Sequence, residues 1–296
     1  MTEYVDRMVT TATSNARIDP AASAAEPILV VEDVSKQFDT PEGPLVAVDR
    51  MSFTVAPGEF LAVIGPSGCG KSTLFNMIGG LLEDYDGRIA VAGEKVRGPH
   101  AAIGMVFQEE STFPWRTVIE NVAFPLEIAG EAKAQRHEQA KRFIKLVGLD
   151  GFENRYPAEL SGGMRQRVSM ARTLASQPKI LLMDEPFAAL DEQTRLLLGD
   201  KVLAIQQQLR QTTLLITHNI TEAVQLADRI LVMTYRPGRL KRMVEIKLPR
   251  PRSSEIVSSE AFGRYVAQIW SDLREEASRG MLDDETHMRE AHRPHE

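Results

Sequence analysis

The segment Gly65-Pro-Ser-Gly-Cys-Gly-Lys-Ser-Thr73 follows the apolar run Phe60-Leu-Ala-Val-Ile64 and opens a stretch with helical spacing, Lys71–Ile78. A strand, a glycine-rich loop and a helix in that order can cradle phosphate groups. Gly65, Gly68 and Gly70 lack the Cβ atoms that would stop the loop curling, so backbone N–H groups between Pro66 and Thr73 can point inward at phosphate oxygens. The positive end of the helix lies behind them. Lys71 is placed to reach the β- and γ-phosphates of a nucleotide, and the Ser72 hydroxyl to ligate Mg²⁺. The short side chains of Ser67 and Cys69 suit the space beside the phosphates, and phosphoryl transfer to water has no use for a thiol.

A second apolar run, Lys179-Ile-Leu-Leu-Met183, ends in Asp184 and Glu185. Because α/β sheets bind ligands at the carboxyl ends of their strands, Asp184 is placed to hold Mg²⁺, directly or through water. Glu185, pointing to the other side of the strand end, is placed to polarise an attacking water. Paired acids after a buried strand can also simply open a helix; the phosphate loop in the same chain favours the metal and the water. Leu160-Ser-Gly-Gly-Met-Arg-Gln-Arg167 begins a helix through Val168, Ala171 and Leu174. Ser161 is its N-cap, and Gly162 and Gly163 expose backbone donors, which makes a second phosphate-binding helix end.

These groups need elements to hold them. Apolar, β-rich runs at Ile28–Val34, Phe60–Ile64, Arg88–Val91, Ile103–Phe107, Ile180–Met183, Thr213–Ile216 and Ile230–Met233 predict strands. Helical spacing covers Lys71–Ile78, Gln135–Val147, Gly163–Ala175, Glu192–Leu209 and Thr221–Leu226. The alternation predicts an α/β fold with a mostly parallel central sheet, and the strands crowded before Phe60 add an antiparallel β piece. Residues 109–177 carry almost no strand signal and read as a helical insertion. The Pro-Arg-Pro-Arg stretch at 249–252 closes the pattern, and a last amphipathic helix over Ser258–Ser278 leads into a polar tail ending at residue 296. Residues 1–27 have neither a basic start nor an apolar run, so they read as a disordered leader rather than a secretory signal.

Composition narrows the function classes. Acidic residues number 41 against 35 basic, a net charge of −6, which withholds the overall positive field of a nucleic-acid binder. The single cysteine, Cys69, permits no intrachain disulfide and no Cys-based zinc site, which suits a reducing compartment. No run approaches the ~18 apolar residues of a membrane-spanning helix. His287, His292 and His295 sit in the polar tail without the neighbours of a metal site.

Taken with the phosphate loop, residues 160–167 resemble the signature of the ATP-binding cassette (ABC) ATPases, and the chain is similar to that family from about Ile28 to Leu248. The resemblance implies a P-loop NTPase core with an α-helical subdomain, at about 109–177, between the glutamine loop and the strand ending in Asp184. Phe38, after Val34-Ser-Lys-Gln, matches the aromatic that stacks on adenine, where the family more often has Tyr; a core Phe in an edge strand is the alternative. Gln108, ending Gly104-Met-Val-Phe-Gln, matches the glutamine that touches Mg²⁺ and the attacking water and signals to the membrane partner. Ala189-Leu190-Asp191 matches the loop that crosses the dimer interface. His218, in Leu215-Ile-Thr-His-Asn219, matches the switch histidine that hydrogen-bonds the γ-phosphate. The implied cofactors are ATP and Mg²⁺.

In that family the phosphate loop and the signature of one protomer cannot reach the same ATP. The resemblance therefore implies two copies facing head to tail, with each ATP between Lys71 of one and Ser161-Gly-Gly163 of the other. One set of motifs and no membrane span imply a separate ATPase subunit, peripheral on the cytoplasmic face of the membrane. Its implied partners are two transmembrane permease subunits and, indirectly, a periplasmic or extracellular solute-binding protein. Phe113-Pro-Trp-Arg-Thr-Val118, Glu120-Asn-Val122, Tyr235-Arg-Pro-Gly-Arg239 and Leu248-Pro-Arg-Pro-Arg252 are similar to the branch that imports nitrate, sulfonates and taurine. Glu110-Ser-Thr112 departs from the more apolar stretch found there. Phe113 and Trp115 can alternatively be packing residues, and Arg250 and Arg252 a solvated linker. Two other classes use the same chemistry: an exporter or lipid-extraction ATPase, and a non-transport ABC ATPase, which typically carries two cassettes or a long coiled coil.

Overall fold

Alternation along buried strands divides the core into two layers. Phe60–Ile64 forms β3, buried at all five positions, and Ile180–Asp184 and Thr212–Ile216 form β7 and β8. Their continuous apolar stretches, all of β3, 180–183 of β7 and 214–216 of β8, are the mark of parallel strands covered on both faces. The computed structural model, which describes residues 26–291 except 42, 110 and 189, joins them with Ile103–Val106 (β6), Arg229–Met233 (β9) and Leu240–Glu245 (β10) in the order β10-β9-β3-β8-β7-β6. All pairs are parallel except the edge pair β9–β10. Phe60, Ala62 and Ile64 enter one apolar layer, Leu61 and Val63 the other.

The second layer is closed by helix α1 (Lys71–Ile78) and by a four-stranded antiparallel sheet of β1 (Leu29–Thr40), β2 (Gly43–Val55), β4 (Asp86–Val91) and β5 (Glu94–Lys95). The expected antiparallel piece is therefore present. It runs further than Val34, to Thr40, because register shifts on either side of Lys36 break the apolar alternation without ending the strand. The first layer is covered by α2 (Val118–Ile128), α3 (Lys133–Leu146), α4 (Gly162–Ala175), α5 (Glu192–Leu209), α6 (Ile220–Leu226) and α7 (Glu260–Ala291).

Three elements depart from the sequence reading. Helix α2 was not predicted because Pro125 lies inside it; Thr117 caps it in a reciprocal box with Glu120, a signal that was present in the sequence. Strand β10 was hidden by its charged edge positions, and α7 runs on past Ser278 to Ala291. The 249–252 stretch is not a solvated linker: Arg252 is 5% exposed and donates to the carbonyls of Ala227 and Ile246, while Arg250 pairs with Asp228. Of the expected leader, residues 1–25 lie outside the described residues, as do His292 and His295 and the side chain of His287. No helix among the described residues is long and apolar enough to cross a membrane.

Candidate active site

The parallel strands deliver the candidate groups to one edge of the sheet. The phosphate loop follows β3, Asp184 ends β7 with Glu185 next, His218 follows β8 and Gln108 follows β6. Gly68 and Gly70 hold φ of +71° and +96°, and a Cβ on Gly70 would stand 2.5 Å from the Ala47 carbonyl, so glycine is required there. Lys71, 8% exposed, closes the loop on itself: Nζ donates to the Gly65 carbonyl at 2.9 Å and to the Pro66 carbonyl at 2.8 Å. Ser67, Gly68, Gly70, Lys71, Ser72 and Thr73 line a cleft of about 350 Å³ together with Phe38, Glu185 and Arg236.

Phe38 is 36% exposed and lies under the Lys36 ammonium, 5.0 Å from its ring centre. The core alternative for this residue does not hold; its face opens on the cleft. Cys69 differs from expectation. Its side chain is fully buried in the second apolar layer beneath the loop, and a Cβ on Gly65 would lie 2.7 Å from its sulfur. Burial pushes the thiol pKa up, against the nearby Lys71 charge. Only the backbone of Cys69 is left to serve a phosphate.

The two acids take different partners. Burial raises the Asp184 pKa, with the neighbouring Ser72 hydroxyl and Lys71 charge opposing the rise and Glu185 adding to it. Glu185 has φ +42° and is 19% exposed; its Oε2 lies 3.1 Å from His218 Nδ1, whose ring is 59% exposed. Behind His218, Thr217 donates to the buried Glu222, whose main-chain N–H is capped by Asn219. Burial lifts the Glu222 carboxyl to about 7. Sequence reasoning missed Glu222 and Arg236, because an acid two residues into a helix and an arginine in a hairpin loop carry no local sign of what they face. Gln108 is exposed beyond β6 and bonds to neither Ser72 nor Asp184 among the described residues.

Ser161 caps α4, its Oγ accepting from Met164 N at 3.4 Å. With Gly162, Gly163, Leu190 and Asp191 it lines a separate cleft of about 480 Å³ that shares no described residue with the phosphate-loop cleft. Asp191 also caps α5 through Thr194 N at 2.9 Å, and that bond holds its carboxyl below the usual range.

A parallel sheet carrying a phosphate loop, an acid pair and a histidine on one edge, with a glycine-rich helix start in a second cleft, defines a P-loop ATPase of the cassette type. Residues 48–188 match the ABC transporter family model. The chain is 48% identical to an uncharacterized ABC transporter ATP-binding protein of Methanocaldococcus jannaschii, over 86% of this chain and 94% of that one, and it belongs to the ABC transporter ATP-binding family. It is 42% identical to an aliphatic sulfonates import ATP-binding protein of Bacillus cereus, over 80% of this chain and 94% of the relative. It is 43% identical to a nitrate import ATP-binding protein of Synechocystis, over 83% and 95%. A dimeric bacterial ABC transporter cassette of solved structure superposes with TM-score 0.67 at 29% identity, covering 75% of this chain and all of that one. The chain is thus an ABC ATPase subunit that binds ATP and hydrolyses it.

Proposed function

We propose that this chain is the ATP-hydrolysing subunit of an importer for a small solute of the nitrate, sulfonate or taurine type. It works as a homodimer on the cytoplasmic face of the membrane, beneath two permease subunits that a solute-binding protein loads from outside. The names of the import relatives support this reading. So does the separation of the phosphate-loop cleft from the signature cleft, which one chain cannot bring onto one nucleotide.

In the proposed reaction Phe38 stacks on adenine, and the loop N–H groups receive the phosphates. Lys71 exchanges its Gly65 and Pro66 carbonyls for β- and γ-phosphate oxygens. Ser72 and Asp184, a hydroxyl and a carboxylate close enough for the hydroxyl to lower the Asp184 pKa, would be the hard oxygen pair to hold Mg²⁺, with Gln108 as the further ligand. Bound there, Mg²⁺ supplies charge neutralisation on the β- and γ-phosphate oxygens. Glu185 takes a proton from water as its oxygen bonds to the γ-phosphorus and the bond to the ADP oxygen breaks. His218, tied to Glu185 through Nδ1, has Nε2 left for the γ-phosphate.

The observation that carries the hydrolytic part is the Glu185 carboxylate, set in the phosphate-loop cleft and against His218. The importer part is tested by reconstituting the chain with its permease pair in liposomes and measuring uptake and ATP hydrolysis. Binding protein loaded with nitrate, a sulfonate or taurine is expected to stimulate both. ATP-driven movement in the opposite direction, indifferent to any binding protein, would replace this reading with that of an exporter.

A further inference from the structure

The cleft has a wall that none of the expected nucleotide groups supplies. Strand β9 lies beside β3, so the turn after it, residues 234–239, arrives next to the phosphate loop. The turn is fastened on both sides. Gly238 N donates to the Ala47 carbonyl and Asp49 N to the Gly238 carbonyl, each at 3.0 Å, and Arg239 Nε bonds Asp49 at 2.7 Å. A Cβ on Gly238 would stand 2.2 Å from the Cys69 carbonyl, so the turn packs directly on the loop. At its tip, Arg236 Nε donates to the Gly68 carbonyl at 3.1 Å, and its guanidinium carbon lies 5.8 Å from the Tyr235 ring centre.

The outer side of the turn is held by α7. Glu276, 1% exposed, accepts from Tyr235 N at 2.9 Å, from Lys241 Nζ at 2.7 Å and from Arg279 Nη1 at 3.2 Å. Gly280 lets the Tyr235 ring lie against the helix, since a Cβ there would come within 2.8 Å of the ring.

Arg236 is exposed and forms no ion pair among the described residues, yet its side chain is fixed at the mouth of a phosphate cradle. A planar guanidinium with one nitrogen anchored and its terminal N–H groups left over is matched to phosphate oxygens. We propose that Arg236 is a nucleotide-contacting residue that binds the phosphate chain of ATP, and that Glu276 of the C-terminal helix acts as its positioning residue through Tyr235. This rests on ATP occupying the phosphate-loop cleft.

The test is calorimetric titration of the full chain with ATP in EDTA, so that no turnover occurs. Arg236→Ala is expected to weaken binding about tenfold with an unchanged unfolding midpoint, the scale of one lost charge-assisted hydrogen bond. Arg236→Glu weakens it further, because the new charge repels the phosphates. Glu276→Gln, or Gly280→Ala if the first variant loosens α7, weakens binding in the natural background and adds nothing in the Arg236→Ala background. Unchanged affinity in Arg236→Ala and Arg236→Glu would overturn the contact. Equal weakening by Glu276→Gln in both backgrounds would overturn the positioning role. Absence of ATP binding by the unsubstituted chain would instead remove the nucleotide reading itself.

Discussion

Glu222 shows how burial can dominate a side chain's chemistry. Its carboxyl is lifted to about 7 by burial, and the Thr217 hydroxyl and the Arg195 charge only partly oppose the rise, which Glu185 reinforces. In the unfolded chain the same group titrates near 4.5. Between those values the folded protein keeps a proton that the unfolded chain has released, so stability falls as pH rises through that window, by roughly 3 kcal/mol in all. Glu222→Gln keeps an acceptor for Thr217 and removes the titration. Denaturant midpoints at mildly acid and mildly alkaline pH should therefore diverge for the natural protein and converge for the variant; parallel behaviour would contradict the assignment. Cys69 is the second case. With its thiol fully buried and its pKa raised, alkylation of the folded chain should be slow with or without ATP and become fast on unfolding. Mass spectrometry of timed labelling measures this directly, and rapid labelling of the folded chain would place the thiol outside the core.

At the scale of elements, the turn between β6 and α2 is built by a few polar residues. Asn121, fully buried, accepts from Phe113 N at 2.8 Å and donates to the carbonyls of Phe113, Arg116 and Thr117. Phe113 stacks edge-on against Phe124 at 4.7 Å, whereas Trp115 is left 72% exposed. The packing alternative therefore fits Phe113 but not Trp115. The polar departure before them also has a structural use: Arg172 donates to the Ser111 carbonyl and hydroxyl, each at 2.7 Å, and lies 5.0 Å from the Phe113 ring centre. Trp115→Ala should leave the isolated chain within about 0.5 kcal/mol of its natural stability, as expected for an exposed side chain. In the assembled transporter, loss of a buried tryptophan anchor would cost about 2 kcal/mol or more of docking and uncouple transport from hydrolysis. Thermal unfolding of the isolated chain and uptake by the complex separate these effects, and an unfolded Trp115→Ala chain would return the residue to the core.

This element also shows what could be read in the sequence. The phosphate loop was legible because glycine spacing dictates backbone shape locally, and β3, β7 and β8 because strands covered on both faces carry continuous apolar stretches, all of β3, 180–183 of β7 and 214–216 of β8. The Thr117–Glu120 capping box was equally local, but Pro125 obscured the helix it opens. What stayed hidden depends on neighbours far away in the chain. Arg236 reaches the cleft because β9 pairs with β3, and Arg252 is buried because Ala227 and Ile246 offer it carbonyls. No spacing in the sequence encodes those pairings.

For the whole molecule, the decisive feature is that Ser161-Gly-Gly163 and Lys71 line different clefts. If each ATP is shared between two chains, blocking hydrolysis should trap the pair, and damaging the signature should release it. Glu185→Gln keeps the side-chain shape but removes the proposed base, so turnover should fall by about 10²–10⁴ while ATP binding persists. It also removes a negative charge from the side of the γ-phosphate, which favours the closed pair. Light scattering after size exclusion should then report a dimer in Mg-ATP and a monomer without it. Ser161→Arg, added to that variant, replaces an exposed cap whose loss costs about 1 kcal/mol of stability, and sets a bulky cation where the partner's nucleotide would approach. The double variant should stay folded, bind ATP as before and run as a monomer. A dimer that survives Ser161→Arg would show that the chains meet through another surface, and the head-to-tail arrangement would have to be abandoned.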